Sequence, residues 1–296
     1  MTVELRDVTD EDAALLAELL ERHARDSFGE RDLSEDELRS WFRIPNLWIK
    51  VAEREGELVG YIDMSIDDGR FDIDARTLEP EVARLMVDAA YAEARKRSAE
   101  PRVHVFIQGD DSAARGFLAD AGDWHVIRHA FQMRIDFDGE PPEPEWPAGL
   151  VPRNLREGEE ERVWAATNDA FADHWDFHPR TFDEWIAFHK DPHRYDPTFW
   201  WLVEDGEELA AVSINSWHSS GDPHYGWIHV LGTRPAWRRR GLATALLLHS
   251  FRDFRERGAT RVGLGVDGEN TTGAVRLYES VGMHVDRRND IYERTA

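Results

Sequence analysis

One order of strand and helix patterns occurs twice in this 296-residue chain. Residues 1–137 contain the patterns of a strand, two helical segments, a hairpin, a strand, a helix, a strand, a helix and a final strand. Residues 149–296 follow the same plan, and Trp48 and Trp201 take matching places in the two hairpins. A repeat of this length predicts two copies of one domain, related by duplication.

The segment between the copies, residues 138–148, is rich in proline and acidic residues and has no hydrophobic periodicity. It therefore reads as a linker, with domains at 1–137 and 149–296. Strands that alternate with helices and hairpins predict an α/β (α+β) fold. We expect two tandem domains, each with a mixed, mostly antiparallel sheet flanked by helices.

An arginine and glycine loop joins a strand pattern to a helix pattern in the second copy. The start of a helix presents unpaired backbone N–H groups and the positive end of the helix dipole, so it binds anions. Gly241 and Ala243 let an oxyanion approach the backbone, while Arg238, Arg239 and Arg240 add positive charge. The spacing differs from G-x-x-x-x-G-K-[ST] and from G-x-G-x-x-G. The expected ligand is the pyrophosphate of some other cofactor.

This loop resembles the pyrophosphate motif of the GNAT acetyltransferases, R/Q-x-x-G-x-G/A, here Arg238-x-x-Gly241-x-Ala243. The chain also has a later segment similar to that family: a strand at 262–266, then Asn270, then a helix that carries Tyr278. The family's Tyr usually lies one residue closer to the Asn, so Gly273 reads as an insertion. The resemblance implies a GNAT fold, acetyl-CoA as the acyl donor and an amine as the acceptor.

The resemblance also implies roles for single residues. A Tyr at the place of Tyr278 is the family's general acid, and a phenol with a pKa of about 10 is protonated at neutral pH. A Tyr before a helix-ending glycine is also the pattern of a packing residue. The backbone amides of 231–233 would face the thioester carbonyl, and Gly232 permits either a β-bulge there or simply the turn before Pro235. The expected cofactor-binding residues are Leu231, Gly232, Thr233, Arg238, Arg239, Arg240, Gly241, Leu242, Ala243, Thr244 and Asn270.

His229 is the candidate general base. It lies two residues before Leu231, and strand alternation would place both side chains on one face of the sheet. An imidazole with a pKa of about 6.5 can accept the proton of an ammonium group. A buried, hydrogen-bonded histidine with a structural role has the same pattern, and some members of the family use no dedicated base.

The acceptor amine is expected to bind beside the segment that starts at Asp173. Trp175 and Phe177 would line this site, and Asp173 or Asp176 would attract an ammonium group. Histidines also recur there at a spacing of four, at 174 and 178 and again at 189 and 193. Because Pro179 interrupts the first pair and no H-E-x-x-H pattern is present, we predict no metal site.

The first copy differs from the second where chemistry requires specific residues. In place of the arginine loop it has residues 78–83, with Glu79 and Glu81 and no glycine, and these carboxylates would repel a pyrophosphate. In place of Tyr278 it has Leu118. The first copy is therefore expected to have lost cofactor binding and to keep a structural or substrate-shaping role.

Composition limits the partners. A net charge of −23 disfavours nucleic acid. It would suit a cationic substrate, but a solvated acidic surface that keeps the protein soluble accounts for the same charge and is the favoured interpretation. The absence of cysteine excludes disulfides, thiolate metal sites and cysteine nucleophiles. Without a signal-like or membrane-spanning apolar run, the expectation is a cytoplasmic enzyme that contacts no membrane.

Together these patterns predict an acetyl-CoA-dependent N-acetyltransferase whose C-terminal copy acetylates a primary amine of a small molecule by direct transfer. Two-copy members of the family with a weakened first copy include mycothiol synthase, so a cysteinyl-glucosaminyl-inositol is an alternative acceptor. A non-catalytic sensor or scaffold that binds acyl-CoA is a second alternative. The sequence leaves the oligomeric state open.

Overall fold

The structure, a computed structural model, describes residues 2–30, 33–44, 46–67, 69–175, 177–190, 195–217, 220–270 and 272–294. The described residues form two compact units, the first from Met1–Phe131 with Arg287–Ala296 and the second from Gln132–Asp286. The last strand of the chain therefore groups with the first unit, whereas the sequence-based boundary assigns it to the second domain.

Twelve strands and eight α-helices lie within the described ranges. Those that start before residue 138 are β1 (Glu4–Asp7), α1 (Ala13–Phe28), α2 (Glu35–Trp41), β2 (Leu47–Arg54), β3 (Glu57–Asp67), β4 (Arg70–Arg76), α3 (Pro80–Arg97), β5 (Arg102–Gln108), α4 (Ser112–Ala121) and β6 (Trp124–Asp136). Those that follow are β7 (Pro152–Asn154), α5 (Glu160–Phe171), α6 (Phe182–His189), β8 (Trp200–Asp205), β9 (Glu208–Trp217), β10 (Tyr225–Thr233), α7 (Leu242–Glu256), β11 (Arg261–Asp267), α8 (Ala274–Ser280) and β12 (His284–Arg294).

The sheet of the first unit has the order β1-β2-β3-β4-β5-β12-β6. Its β2–β3 hairpin closes through Glu55 and Gly56, with φ angles of 53° and 86°. Strand alternation then divides the sheet into two faces: Ile62 and Phe71 pack with Met86 of α3 in one buried cluster, while Tyr61 packs with α1 and α2 in another. A capping box formed by Ser34 and Glu37 marks the start of α2.

The sheet of the second unit runs β11-β10-β9-β8-β7, with β10 and β11 parallel and the other neighbours antiparallel. Helix α7 covers one face and α5 the other. Two glycines of β10 allow this close approach: a Cβ added at Gly226 would lie 2.5 Å from the Phe254 ring of α7, and one at Gly232 would lie 3.1 Å from Ala170 Cβ of α5. The predicted α/β fold with mixed, mostly antiparallel sheets is confirmed.

β12 completes the first unit. Its residues Asn289 to Glu293 pair in antiparallel register with Gln108 to His104 of β5. The Arg287 guanidinium lies 3.3 Å from the centre of the Phe28 ring and donates to Gln108 Oε1 at 3.2 Å. The repeated plan predicts a final strand in the second copy but not its pairing with β5, because that pairing depends on contacts between residues far apart in the chain.

Candidate active site

The arginine and glycine loop forms an exposed turn between β10 and α7. Pro235–Trp237 make one turn of 3-10 helix, and Arg239 and Gly241 then have φ angles of 60° and 86°. Left-handed backbone is easy for glycine and costs an arginine about 1 kcal/mol or more, so the reversal at Arg239 is a strained feature of this turn. α7 follows directly, and its first helical hydrogen bond joins the Ala245 N–H to the Gly241 carbonyl at 3.0 Å.

The amides before Ala245 have no acceptor within the helix, since the first turn of any α-helix leaves its N–H groups unpaired. Arg239, Arg240 and Gly241 are exposed around them. A Cβ added at Gly241 would meet no atom within 4 Å, so glycine is needed there for its conformation rather than for space. Exposed amides, two arginine side chains and the helix dipole fit a pyrophosphate.

Arg238 has a different environment from its two neighbours. Its guanidinium binds the Asp173 carboxylate at 2.5 and 2.9 Å and donates to the carbonyls of Ala170 at 2.9 Å and Thr233 at 3.2 Å. The hydrogen bonds from Arg238 hold the pKa of Asp173 below its usual range. The structure thus brings together one predicted cofactor ligand and one predicted acceptor ligand, and each neutralises the other's charge.

β10 contains a bulge, at His229 and not at Gly232. The antiparallel register with β9 shifts between Ile228 and Val230, while Gly232 pairs regularly with Val212. Of the two alternatives considered for Gly232, a bulge or the turn before Pro235, the bulge is therefore not the one observed. Gly232 is instead the point at which α5 packs closely against the strand.

The bulge also changes which face His229 occupies. Leu231 packs with Leu242 and Leu246 of α7, whereas His229 contacts Ser216 on the opposite face. The prediction that His229 and Leu231 share one face is wrong, because the extra residue of a bulge breaks strict alternation. His229 therefore lies on the side of the sheet that α5 and α6 cover.

A small cavity of about 10 Å³ lies beside His229 and is close to the size of one water molecule. Its lining comes from α6, β8, β9 and β10: Phe188, His189, Trp200, Ile214, Asn215, Ser216 and His229. The sequence analysis did not assign Ser216 or Trp200 to the site, and no local motif marks them. The signal is available only from the register of β9 with β10.

The parallel strands β10 and β11 pair over only part of their length. Their ladder runs from Tyr225 opposite Arg261 to Ile228 opposite Leu264, although within the described residues β10 continues to Thr233 and β11 to Asp267. The edge of β10 at 231–233 therefore has no ladder partner in β11. These are the residues predicted to face a thioester carbonyl.

Tyr278 is almost buried on α8, with 8% of its surface exposed. Burial raises the pKa of its phenol to about 12. Asn270 orders the start of this helix: its side-chain oxygen accepts from Thr272 N at 2.8 Å and from Ala274 N at 3.5 Å. Asn270 thus has a visible role as a cap, and a contact between its side chain and a cofactor stays a prediction.

The predicted acceptor segment is partly exposed. Trp175 has 43% of its surface accessible, and Phe177 is half-buried, with its N–H donating to His174 O at 3.3 Å. Asp176 lies outside the described residues. Burial lowers the pKa of His174, so this ring is neutral at physiological pH. Among the parts of the chain that the structure describes, no group of three His, Asp or Glu could hold a metal ion.

The corresponding point of the first unit has no such loop. α3 begins with Pro80, which lacks an N–H, after Glu79, whose carboxylate binds Arg54 at 2.6 and 3.2 Å. Proline and carboxylate at a helix start remove a donor and add negative charge. This helix start does not fit a pyrophosphate.

Comparisons with known proteins agree with this geometry. Residues 160–283 match the acetyltransferase (GNAT) family. A mycothiol acetyltransferase of Geodermatophilus obscurus is 31% identical over 282 residues, which cover 92% of this chain and 90% of that protein. A crystal structure of a GCN5-related N-acetyltransferase from Sphaerobacter thermophilus superposes with a TM-score of 0.81 at 26% identity, covering 99% of this chain and 95% of that one.

A tandem GNAT protein from the clavulanic acid biosynthesis pathway has the same fold, with a TM-score of 0.78 at 16% identity over 100% of this chain and 99% of that one. The chain belongs to the GNAT family of acetyltransferases. It is an N-acetyltransferase that takes its acetyl group from acetyl-CoA. None of the helices in the described ranges combines the length and apolarity needed to cross a bilayer.

Proposed function

We propose that the second unit acetylates a primary amine of a small molecule and that the first unit has lost this activity. The observation that supports it most directly is the exposed start of α7, with the left-handed Arg239 and Gly241 and a row of unpaired amides. Within the first unit, the matching helix begins with Pro80 and paired Glu79.

The pyrophosphate of acetyl-CoA would be held by the amides of 239–244 and by the side chains of Arg239 and Arg240. Arg238 would act indirectly, because its guanidinium is occupied by α5. The reactive thioester would then lie along the edge of β10 at 231–233, where ladder pairing with β11 has ended. An amide on that edge could stabilise the oxyanion that develops at the carbonyl.

The cofactor supplies an activated acetyl group as a thioester. His229 would accept the proton that the attacking ammonium group must lose. Tyr278 would donate a hydrogen bond to the sulfur as the carbon–sulfur bond breaks. Its raised pKa of about 12 makes full proton transfer to a thiolate of pKa about 8.5 unfavourable, so its contribution is a hydrogen bond to developing charge.

The sheet register supports an inactive first unit. Tyr61 pairs with Arg76 in the first unit as Val212 pairs with Gly232 in the second. Arg76 is 2% exposed and binds Asp74 at 2.6 Å. The buried, ion-paired Arg76 of the first unit therefore occupies the sheet position that corresponds to Gly232, the glycine that packs against α5 in the second unit.

Two alternative functions predict different results in one assay. The relative from Geodermatophilus obscurus is named a mycothiol acetyltransferase, which favours a cysteinyl-glucosaminyl-inositol as the acceptor in this chain too. A sensor that binds acyl-CoA without turnover is the other alternative. Release of free CoA thiol across a panel of primary amines separates them: activity with that acceptor alone supports the first, and binding without any release supports the second.

The cofactor site is tested by titration calorimetry with acetyl-CoA. Replacement of Arg239 and Arg240 by alanine should raise Kd about a hundredfold or more, since each charged hydrogen bond contributes about 1.5–3 kcal/mol and every 1.4 kcal/mol is a factor of ten. The matched control replaces Arg255 and Arg257 by alanine. These two substitutions change the net charge by the same amount at the other end of α7. Equal affinity for both variants, or tighter binding on Glu79→Gln in the first unit, would contradict the assignment.

A further inference from the structure

One glycine of β11 has no structural reason for lacking a side chain. Glycine weakens a strand, so its presence there usually marks a bulge or the close approach of another group. Within the strands of the described residues, an added Cβ would lie 2.5 to 3.1 Å from a neighbouring side chain at Gly60, Gly226, Gly232 and Gly263. At Gly265 it would meet no atom within 4 Å, and the backbone there is not left-handed. Neither packing nor backbone conformation therefore explains Gly265.

Gly265 lies at the point where β10 and β11 separate. The last pair of their parallel ladder joins Ile228 to Leu264, so Gly265 is the first residue of β11 beyond it. It is exposed to solvent, whereas Gly263 and Leu264 before it are buried. A small molecule can therefore approach the backbone of Gly265 from outside the protein.

Gly265 shares a face of the sheet with the candidate base. An added Cβ at Gly263 would lie 2.7 Å from the Trp227 ring, and strand alternation gives Gly265 the same direction. Ser216 is the direct partner of Trp227 in the β9–β10 ladder and contacts His229 at 2.7 Å. Directly paired residues point to one face, so all of these positions lie on the side that α5 and α6 cover.

Aromatic rings stand at both ends of the open space along β10. The Trp227 ring covers Gly263 at one end, and at the other end the Phe171 ring of α5 would lie 3.2 Å from a Cβ at Gly232. Trp227 and Gly232 are five residues apart, roughly 15 Å along a strand that rises ~3.3 Å per residue. The distance between the two rings leaves room for a substituent of a bound small molecule over Gly265.

We propose that Gly265 determines which amines are acetylated, by leaving room for substituents on the carbon atom that carries the amino group. The inference rests on the proposed function, in which the acetyl-CoA arm extends from the arginine and glycine loop along the edge of β10 at 231–233. The acetyl group then lies towards the point where the strands separate, and the acceptor enters over Gly265. The expected substrate class is a primary amine whose nitrogen is attached to a branched or ring carbon.

Isomeric amines test this assignment. n-Butylamine and sec-butylamine have the same composition and differ in branching at the carbon next to nitrogen. Because one methylene in a pocket changes discrimination by about 10–200-fold, Gly265→Val should lower kcat/KM for sec-butylamine relative to n-butylamine about tenfold or more. Gly265→Ala adds a single carbon and should have an intermediate effect. Kd for acetyl-CoA should change less than about twofold in both variants, since the cofactor arm lies along β10.

Gly116→Val is the matched control. Gly116 is also exposed and an added Cβ there would meet no atom within 4 Å, but it lies on α4 of the first unit. This control should leave the ratio of the two amines unchanged. The same ratio in Gly265→Val as in the unaltered protein overturns the inference. A Kd for acetyl-CoA that rises about tenfold or more in Gly265→Val also overturns it, because the space would then belong to the cofactor.

A binding measurement separates failure of this inference from failure of the proposed function. Free CoA has no acetyl group to transfer, so the rise in melting temperature that each amine causes in its presence reports binding without turnover. If no amine releases CoA thiol from acetyl-CoA, the proposed function fails. Loss of the shift for sec-butylamine alone in Gly265→Val then still supports the role of Gly265, whereas equal shifts, or no shift with either amine, overturn it.

Discussion

Arg238 forms a bidentate ion pair with Asp173, at 2.5 and 2.9 Å, and so ties the loop before α7 to the end of α5. The same guanidinium donates to the Ala170 carbonyl at 2.9 Å, one of the carbonyls that a helix end leaves without an intrahelical donor. Arg238, which the GNAT motif associates with the cofactor, therefore helps to hold the loop in its conformation. The side chains that remain exposed to a ligand are those of Arg239 and of Arg240, whose Nη1 lies 3.9 Å from Asp205 Oδ2.

Loss of this ion pair should weaken cofactor binding more than it weakens the fold. Asp173 is 52% exposed, so Asp173→Asn should cost at most about 1 kcal/mol of unfolding free energy. KM for acetyl-CoA should rise about threefold, by loosening of the loop. Asp169→Asn is the control, since Asp169 on α5 binds Arg234, the first residue after β10, at 2.6 Å and makes no ion pair with Arg238. Equal effects of the two substitutions on KM would show that Asp173 has no specific role in cofactor binding.

Tyr278 should stay protonated throughout the range in which the enzyme can be assayed. Burial raises the pKa of its phenol to about 12, so its ionisation removes no activity below about pH 10. Tyr278→Phe should lower kcat at least tenfold while KM for acetyl-CoA changes less than twofold. The measurement is kcat from about pH 7 to pH 10 for both proteins, with Tyr91→Phe in the first unit as the control. A ratio of the two rates that falls above about pH 9 would mean that the phenol titrates near its ordinary pKa.

Local patterns predicted the fold class and the turn that leads into α7, because both depend on neighbours in the sequence. A glycine at the start of α7, an adjacent run of arginines and a helical period are enough to expose the helix amides. The box at Ser34 and Glu37 is local in the same sense. The pairing of β12 with β5 joins residues more than 170 positions apart, for example Asn289 and Gln108, and no local pattern carries such information.

The faces of β10 were not predictable for a related reason. Alternation assigns every second residue to one face, and one extra residue reverses the assignment from that point on. The bulge at His229 is such a residue, and it moves the ring to Ser216 and away from the cluster that holds Leu231. A sequence shows a bulge only where glycine or proline marks it, and here the unmarked residue is a histidine.

Asp63 should make the first unit less stable as the pH rises. It lies directly across the β3–β4 ladder from Asp74, and burial, with a smaller part from that carboxylate, raises its pKa to about 7. The pKa in the folded state then exceeds the unfolded value, so the stabilisation from the bound proton is complete below about pH 4 and is lost as pH rises through about 7.

Urea unfolding at about pH 5 and pH 8 measures this effect. The unaltered protein should have the lower unfolding free energy at the higher pH, and Asp63→Asn should remove most of that difference and be the more stable protein at pH 8. Asp88→Asn, at an exposed position of α3, is the control. A pH dependence that is the same with and without Asp63 would contradict the assignment.

Removal of the chain after Asp286 should open the first unit at β5. The removed segment pairs with β5 through Asn289 to Glu293. Within it, the carboxylate of Asp290 is 4% exposed and accepts hydrogen bonds from Arg115 at 2.6 Å and from His129 at 2.7 Å. Hydrogen exchange should show that those amides of 104–108 that bond to β12 lose protection, whereas amides bonded to β4 and those of β9 stay protected because their partner strands are retained. A chain that ends at Arg294 should behave like the unaltered one. Protected β5 amides in the shorter chain would mean that β5 needs no partner from the C-terminal strand.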